Sequence, residues 1–371
     1  MLTPANETEL SAMVVEASGP LWITGGGTCG MAAPAGAEVM STAGLSGISL
    51  YEPGALTVVA AAGTPLAEVE AALAKENQRL PFEPRDLRKL LATDGEATIG
   101  GVVATNASGP RRMQAGACRD SLIGVRFVDG SGTAIKNGGR VMKNVTGYDL
   151  VKLMAGSYGT LGVLSEVSFK VLPGVAARSC VMLDGLSDAQ AVEAMCVAMG
   201  SPYEVTGAVH LPHGADGAPV TMLRLEGFAE SVSYRTGKLR EILAAFGAAR
   251  VETDPEAVQR SWQEVRDVEA FAGRDGDVWR VSVKPTDAPG IAARIKGEVI
   301  FDWAGGLIWA LMPEGTDLRA RLGNFAGHAT RVRGEGGGAR FQPEAAPVAA
   351  LAAALRGKFD PRGILNTGLM G

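Results

Sequence analysis

The first half of the chain alternates short apolar runs with polar, glycine-rich turns. Residues 4–17 carry their larger apolar side chains at the helical period, which predicts an amphipathic helix. Strands are predicted at 21–24 and 56–61, where apolar runs end in turn residues. Thr64 and Pro65 offer a hydroxyl cap and then a proline at the first helical position, so a second helix is predicted to begin there.

Two patterns between residues 122 and 174 predict antiparallel sheet. The segments 122–128 and 133–136 flank Asp129-Gly130-Ser131-Gly132, which is typical of a hairpin turn. Residues 163–172 then alternate apolar with polar side chains, the pattern of a half-buried strand. Pro173-Gly174 ends that strand, and we place the first domain boundary there.

The second half of the chain has longer helical segments between its strands. Residues 179–252 predict the order β-α-β-β-α-β, which is that of the ferredoxin-like unit. After a helix at 255–270, the same order is predicted again over 278–333, without a matching sequence repeat. A glycine-rich loop at 334–338 and a helix at 346–356 follow.

Composition and charge narrow the class of protein. The 371 residues are 46% hydrophobic and 20% charged, as in ordinary globular proteins of two or three domains. With a net charge of −5 and no dense run of Lys and Arg, the chain lacks the basic face of a nucleic-acid binder. No stretch approaches the ~18 apolar residues of a transmembrane segment, and no leader pattern opens the chain.

The cysteines and histidines do not form a metal-binding pattern. Cysteines at 29, 118, 180 and 196 show no CxxC spacing, which argues against a zinc knuckle, an iron–sulfur cluster or a disulfide framework. His210 and His213 are three residues apart, but no third ligand can be named beside them. No metal site is therefore predicted, and a reducing cytoplasm fits the thiols.

The chain contains 50 glycines, and many of them fall in clusters. The first cluster, residues 24–30, contains GxGxxG, but Pro34 and Gly36 follow where a Rossmann site needs a helix. It is better interpreted as a loop whose successive N–H groups point at an anion. Two further clusters, residues 98–109 and 156–163, lie in the same predicted domain.

These two later clusters also suit a phosphorylated ligand. Thr98 can cap a short helix whose first turn holds Gly100 and Gly101, so bare amides and the helix dipole would face a phosphate. The cluster at 156–163 leads into the alternating strand, where glycine permits close backbone approach. Tight turns alone could explain any one cluster. Three of them in one domain favour an extended dinucleotide.

Longer motifs carry a family resemblance. "GGGT", "ATIGGVVATNASGPRR" and "GGRVMKNVTGYDLVKLMAGSYGTLGVLSEVSFKVLP" resemble the FAD-binding domain of the p-cresol methylhydroxylase and vanillyl-alcohol oxidase family. The run Lys143 to Asp149 resembles the FAD-binding E subunits of bacterial glycolate oxidases in particular, and residues 359–368 are similar to the closing motif of the family. The resemblance is strong over residues 20–175 and at the tail, and weak over 176–345.

The resemblance implies an α+β fold with FAD held, non-covalently, between two lobes. Residues 1–174 would be the PCMH-type (VAO-like) FAD-binding domain, 175–340 an α+β cap with ferredoxin-like units, and 341–371 a segment returning to the first domain. By motif match, the implied cofactor-binding residues are Gly25, Gly26, Gly27, Thr28, Thr98, Gly100, Gly101, Thr105, Asn106, Gly109, Gly162, Val163 and Asn366.

The sequence departs from the family pattern at three points. Thr24 stands where many relatives have arginine, and Thr367 replaces the proline of the closing motif. The histidine signature of the metal-dependent D-2-hydroxy-acid dehydrogenases is missing. No histidine lies near the first glycine loop, so covalent attachment through histidine is not expected; Cys29 could be proposed instead but is better interpreted as a small buried thiol.

Arg280 and Lys284 are the candidate catalytic residues. They alternate with apolar residues on a predicted strand, so one face of it is basic. These side chains could stabilise a reduced flavin or a substrate carboxylate, and the alternative is an ordinary solvated strand face.

The chain is therefore interpreted as an FAD-dependent oxidoreductase, the FAD-binding subunit of a glycolate oxidase-like complex. The implied partners are a catalytic flavoprotein subunit (D-type) that oxidises a 2-hydroxy acid and an iron–sulfur subunit (F-type) that receives electrons. The expected location is the cytoplasm, or the periphery of the inner membrane through the complex. The alternatives are a self-sufficient FAD-linked dehydrogenase, with a tyrosine or His328 as base, and a non-catalytic assembly subunit.

Overall fold

A computed structural model of the chain describes residues 1–139, 147–214, 216–336 and 338–370. Lys143 to Thr146, part of the motif that resembles glycolate oxidase subunits, lie outside the described residues. The chain forms two compact units. The first comprises Met1–Ser108, Gly116–Gly174 and Pro343–Gly371, and the second comprises Gly109–Ala115 and Val175–Gln342.

Short helices and strands make up the chain as far as residue 173. The helices are α1 (Glu7–Glu16), α2 (Leu66–Lys75), α3 (Arg88–Leu91), α4 (Ile99–Ala104), α5 (Arg112–Ala115), α6 (Cys118–Ser121) and α7 (Leu150–Met154). The strands are β1 (Leu21–Thr24), β2 (Glu38–Ser41), β3 (Ile48–Glu52), β4 (Thr57–Ala61), β5 (Gln78–Arg79), β6 (Leu122–Val128), β7 (Ala134–Gly138), β8 (Val163–Lys170) and β9 (Leu172–Pro173).

A five-stranded antiparallel sheet, in the order β3-β4-β8-β6-β7, organises the first unit. The predicted hairpin is confirmed as the pair β6–β7. The alternating strand is β8, but the prediction that it is half-buried is wrong. Only Glu166 and Lys170 are partly exposed along it, because β8 lies at the centre of the sheet and its polar Ser165 and Ser168 are buried as well.

A smaller parallel pair, β1 with β2, carries the start of the first glycine loop. The chain tail joins it: the Leu21 amide donates to the Ile364 carbonyl at 2.7 Å, and the Asn366 amide donates to the Leu21 carbonyl at 3.0 Å. A small core buries Leu10 and Val14 of α1 with Leu21, Ile364 and Leu365. The tail is therefore part of the first unit.

One local expectation in this unit is wrong. Helix α2 begins at Leu66, but Thr64 does not cap it. The Thr64 hydroxyl donates to the Ala61 carbonyl and accepts from the Gly47 amide, at 2.7 and 2.9 Å. The hydroxyl therefore fastens two turns together, because tertiary partners for it lie closer than the helix does.

The rest of the chain has the predicted longer elements. The strands are β10 (Ala177–Asp184), β11 (Gly207–Leu211), β12 (Val220–Gly227), β13 (Arg250–Glu252), β14 (Asp277–Val283), β15 (Glu298–Asp302), β16 (Leu307–Met312) and β17 (Gly327–Arg333). The helices are α8 (Asp188–Met199), α9 (Ala229–Leu243), α10 (Pro255–Arg266), α11 (Ala288–Ile295), α12 (Leu318–Leu322) and α13 (Ala346–Phe359), the last of which belongs to the first unit.

The second unit is built on one eight-stranded antiparallel sheet. Its strand order is β13-β10-β12-β11-β15-β16-β14-β17. Each half is a β-α-β-β-α-β unit, and the two halves meet where β11 pairs with β15. The repeated element order predicted from sequence is thus confirmed, and its two ferredoxin-like units share a single sheet.

The segment Gly109–Ala115, which begins at the last residue of the second glycine cluster, packs within the second unit. Arg111 makes a bidentate ion pair with Glu226, with both N–O distances 2.9 Å and both side chains buried. The Gly109 carbonyl accepts a hydrogen bond from the Trp303 indole at 3.1 Å. Buried, bidentate contacts of this kind hold a segment in one position.

Among the helices of the described residues, none combines the length and apolar character that crossing a membrane requires.

Candidate functional site

A crevice in the first unit brings the three glycine clusters together. Its lining comprises backbone and small side chains from all three clusters, apolar side chains, one arginine and the tail asparagine. The lining residues are Trp22, Ile23, Thr24, Gly25, Gly26, Gly27, Thr28, Cys29, Met31, Thr42, Ala62, Arg85, Ala97, Thr98, Gly100, Gly101, Val102, Ala104, Thr105, Ala107, Tyr158, Gly159, Gly162, Leu164 and Asn366.

The first glycine loop leaves β1 and offers unoccupied amides to the crevice. Within the described residues, the four N–H groups from Gly25 to Thr28 donate no hydrogen bond. A methyl group at Gly25 would lie 2.4 Å from the Thr98 hydroxyl, and one at Gly26 would lie 1.5 Å from the Glu96 carbonyl oxygen. Successive amides without protein partners are suited to an anion.

The second cluster folds as the predicted capped helix. Thr98 is the N-cap of α4, and its hydroxyl accepts from the Gly101 amide at 3.2 Å. The expectation that both glycine amides are bare is nevertheless wrong. The Gly100 amide donates to the Ala62 carbonyl at 2.7 Å, because α4 packs directly on the turn after β4. Gly100 and Gly101 therefore allow close approach to the backbone, whereas the amides of Gly25–Thr28 are the donors without a partner.

The third cluster and the tail are joined by Asn366. Its side chain accepts from the Ile23 amide at 2.6 Å and donates to the Tyr158 carbonyl at 2.7 Å. The residue is buried and has a φ of 42°, in the left-handed region where asparagine is favoured over bulkier residues. Asn366 therefore links β1, from which the first loop emerges, to the third loop.

Three residues that the resemblance implied lie away from the crevice lining. Asn106 has its side-chain oxygen on the Arg119 amide at 3.1 Å. Gly109 lies in the second unit, and Val163 is fully buried in the small core around α1. The other ten implied residues line the crevice: Gly25, Gly26, Gly27, Thr28, Thr98, Gly100, Gly101, Thr105, Gly162 and Asn366.

Arg85 is a lining residue that sequence reasoning missed. It lies between β5 and α3 in a segment without helical or strand periodicity, so no pattern singled it out. The one available signal was a charged residue between Pro84 and Asp86 shortly before the second cluster.

The candidate catalytic residues lie in the second unit. Arg280 is on β14 and stacks on Trp303, its guanidinium carbon 5.1 Å from the ring centre. Arg112 stacks on the same indole at 4.8 Å. Lys284 follows the end of β14 and is exposed. At Arg280, the charge of the basic face predicted for β14 is packed against an aromatic ring.

His328 lies on β17, opposite Ser282 of β14. Burial lowers the pKa of its imidazole below the ordinary value, and the positive charges of Arg280 and Arg112 lower that pKa further. The imidazole is therefore kept neutral at neutral pH and can accept a proton.

The other histidines do not build a metal centre. His210 is fully buried and its Nδ1 lies 2.9 Å from the Thr221 hydroxyl. Among the described residues, no group of three His, Cys, Asp or Glu side chains is placed to hold a metal ion.

Comparisons with known proteins indicate an FAD-binding domain in the part of the chain that forms most of this crevice. Residues 1–138 match the model of the FAD binding domain family. The chain is 36% identical over 326 residues to the glycolate oxidase subunit GlcE of Escherichia coli K12, covering 87% of this chain and 84% of that protein. It is also 30% identical over 179 residues to a D-lactate dehydrogenase of Archaeoglobus fulgidus, covering 47% of this chain and 38% of that protein.

A solved structure supports the fold. The chain superposes on an alkyldihydroxyacetonephosphate synthase with a TM-score of 0.72 and 16% identity, covering 99% of this chain and 76% of that one. The PCMH-type fold expected from the glycine motifs is thereby confirmed. With the extended sequence similarity, these findings establish that the chain belongs to the GlcE family of glycolate oxidase subunits, within the FAD-binding oxidoreductases.

Proposed function

We propose that this chain binds FAD non-covalently in the crevice of its first unit and acts as the FAD-binding subunit of a glycolate oxidase-like complex. The observation that carries the proposal is the Gly25–Thr28 loop, whose amides line the crevice and have no hydrogen-bond partner within the described residues. Such a loop matches the charge and the acceptor oxygens of a diphosphate.

The remaining crevice residues fit the rest of the cofactor. Gly25 and Gly26 have no room for a side chain beside Thr98 and Glu96, so ligand atoms would meet backbone. Val102 and Leu164 supply apolar surface, as a flat ring system requires. The lining holds one thiol, Cys29, and no histidine among the described residues, which favours non-covalent binding.

FAD, when bound, supplies the capacity to accept two electrons and to release them one at a time. The protein's part is binding and positioning. The amides from Gly25 to Thr28 would hold the diphosphate. Asn366 keeps β1 and the third loop at a fixed separation through Ile23 and Tyr158. The apolar wall excludes water from the ring system.

The domains take the following roles in the proposal. Residues 1–174 and 341–371 form the FAD-binding part, and 175–340 form a cap that meets substrate or a partner subunit. Arg280 and Lys284 would stabilise negative charge, either a substrate carboxylate or the reduced flavin. The support for Arg280 is its clustering with Arg112 on Trp303, two cations held on one ring. Unchanged flavin potential and unchanged complex activity in both Arg280→Ala and Lys284→Ala would refute this role.

The proposed reaction is the oxidation of glycolate or a related 2-hydroxy acid. A D-type flavoprotein subunit would carry out the hydride transfer, this subunit would hold a second FAD, and an F-type iron–sulfur subunit would take the electrons onward. The similarity to GlcE of E. coli, named as a glycolate oxidase subunit, supports this assembly. The proposed location is the cytoplasm or the cytoplasmic face of the inner membrane.

The test is the visible spectrum of the purified chain, followed by titration with glycolate. We expect flavin absorbance that acid precipitation releases into the supernatant, and no bleaching until the D-type subunit is added. A colourless chain that cannot be reconstituted with FAD would refute flavin binding and favour the assembly role.

A self-sufficient FAD-linked dehydrogenase is the second candidate. It is favoured by the neutral imidazole of His328 between arginines, which could accept a hydroxyl proton, and by the similarity to D-lactate dehydrogenases over 47% of the chain. Bleaching of the isolated chain by glycolate or D-lactate, abolished in His328→Gln, would decide for this candidate.

A further inference from the structure

Helix α13 leaves three large apolar side chains in solvent. The exposed fractions of Val348, Leu351 and Leu355 are 50%, 68% and 40%. Within this helix, which the structure describes completely, no residue is buried, and the only charged residues are Arg356 and Lys358. A helix that is apolar around most of its circumference is ordinarily covered by protein, and contiguous exposed apolar side chains mark surfaces where proteins associate.

The helix is attached to the first unit along a different face. Ala349, Ala352 and Phe359 are partly buried. The Phe359 ring lies against Phe127, with the ring centres 6.0 Å apart, and the Phe359 carbonyl accepts from the Gly130 amide at 2.7 Å. These contacts hold the helix in place, so its exposed side chains form a defined surface.

The exposed apolar residues continue into a charged residue at each end of the helix. Val348, Leu351 and Leu355 are spaced three and four positions apart, the pattern along which two helices pack. The same spacing reaches Glu344, just before the helix, and Lys358, near its end, both of them exposed. These five residues, called the α13 stripe, are acidic at one end, apolar in the middle and basic at the other end.

The α13 stripe is complementary to itself when two copies run antiparallel. A two-fold axis at Leu351 would place Val348 of one copy beside Leu355 of the other. Glu344 and Lys358 are equally far from Leu351 along the chain, so the same axis would bring each beside the other in the second copy. Within one chain the two charges are about 20 Å apart along the helix, too far to pair. Neither forms an ion pair within the described part of the chain.

We propose that α13 pairs with α13 of a second copy of this chain, in an antiparallel contact centred on Leu351. The acidic end of each stripe meets the basic end of the other, and the apolar side chains fill the space between them. Two helices about 20 Å long bury less than the about 1,200 Å² at which stable interfaces begin. We therefore expect a weak dimer, with a dissociation constant on the order of 10–100 μM. The contact does not depend on what the crevice binds.

Sedimentation velocity of the intact chain over a series of concentrations tests the pairing. Leu351→Glu brings two carboxylates together at the two-fold axis and should weaken self-association by at least about 10-fold. The matched control is Val197→Glu, which places the same charge at an exposed valine of α8, outside the α13 stripe. This control should self-associate like wild type.

Charge reversal distinguishes pairing from effects within one helix. Glu344→Lys and Lys358→Glu should each weaken self-association by about 5- to 10-fold, because two ion pairs in every dimer become repulsive. The double variant restores opposite charges across the axis and should recover the wild-type dissociation constant. The double reversal also opposes the helix dipole twice, so an effect through helix stability would add up instead of cancelling.

A chain that is still monomeric at about 1 mM would overturn the proposal. So would a dimer that Leu351→Glu leaves unchanged or that Val197→Glu weakens equally, or a double charge reversal that is weaker than both single variants. If the chain alone is monomeric and Leu351→Glu instead abolishes binding to the D-type subunit, the α13 stripe belongs to that subunit and not to a second copy.

Discussion

At the scale of single residues, the four thiols differ in their surroundings. Cys29 is partly exposed in the crevice, whereas Cys118 and Cys180 are buried. Burial raises the pKa of the Cys180 thiol to about 11 and raises that of Cys118 further. Thiolate, the reactive form, is therefore scarce at both buried positions.

We expect iodoacetamide to label Cys29 in the apoprotein and to label it much more slowly when FAD is present. Cys118 and Cys180 should stay unmodified in the native protein. Cys196, half-buried in the second unit, is the internal control and should react at one rate with and without FAD. Peptide mass spectrometry gives the rates, and full labelling of Cys29 under saturating FAD would contradict the location of the site.

The lowered pKa of His328 predicts how the stability of the fold changes with pH. Because the folded state lowers its pKa, the folded protein binds fewer protons than the unfolded chain below about pH 6.5, the ordinary pKa of histidine. The contribution of the neutral imidazole to stability is therefore present above that pH and is lost as the pH falls below it.

The free energy of unfolding of wild type should accordingly fall, relative to His328→Gln, between pH 7.5 and pH 5.5. Urea unfolding at both pH values measures the difference. In Arg280→Ala the imidazole signal of His328 should titrate at higher pH by NMR, since one repelling charge is gone. An unmoved titration would show that the guanidinium of Arg280 has no influence on the imidazole.

At the scale of elements, the first glycine loop can pack against its neighbours only because its glycines have no side chains. Gly26 lies against the Glu96 carbonyl, and a methyl group there would sit 1.5 Å from the oxygen. The Gly26→Ala variant should lose about 1–3 kcal/mol of stability through overpacking and bind FAD more weakly, because the loop must move. Gly54→Ala is the control: nothing lies within 4 Å of its added methyl group, and a change within about 0.5 kcal/mol is expected.

Unfolding curves and FAD titrations of these two variants provide the measurement. Wild-type affinity in Gly26→Ala would mean that the loop tolerates displacement and that its amides do not hold the ligand.

Elements also show where sequence patterns succeed. The order of strands and helices in the second unit followed from apolar periodicity, because each amphipathic element has one face to bury. The burial of β8 could not be predicted from the same periodicity. Ser168 is polar, which suggested an exposed face, but it lies in a central strand covered on both faces. The sequence likewise predicted that Thr64 caps a helix, but its hydroxyl instead accepts from the Gly47 amide and donates to the Ala61 carbonyl.

At the scale of the whole molecule, the crevice lies in the first unit alone. FAD should therefore slow amide hydrogen exchange most at residues 25–28, 98–104 and 157–164. The paired strands β11 and β12 of the second unit are the control and should change least. Ligand at 100 times its dissociation constant stabilises the site by about 2.7 kcal/mol, which sets the scale of the expected protection. Greater protection in β11 and β12 than in the glycine loops would contradict the site.

By itself, the sequence determined the identity of the glycine loops, the capped helix after Thr98 and the repeated element order, because these depend on neighbours close along the chain. Only the tertiary structure decided which glycine amides have no hydrogen-bond partner within the described residues. The Gly100 amide, for example, donates to the Ala62 carbonyl. It also decided that Asn366 joins β1 to the third loop, and that Arg85 enters the crevice while Asn106 does not. These outcomes depend on contacts between distant segments, and no local spacing encodes them.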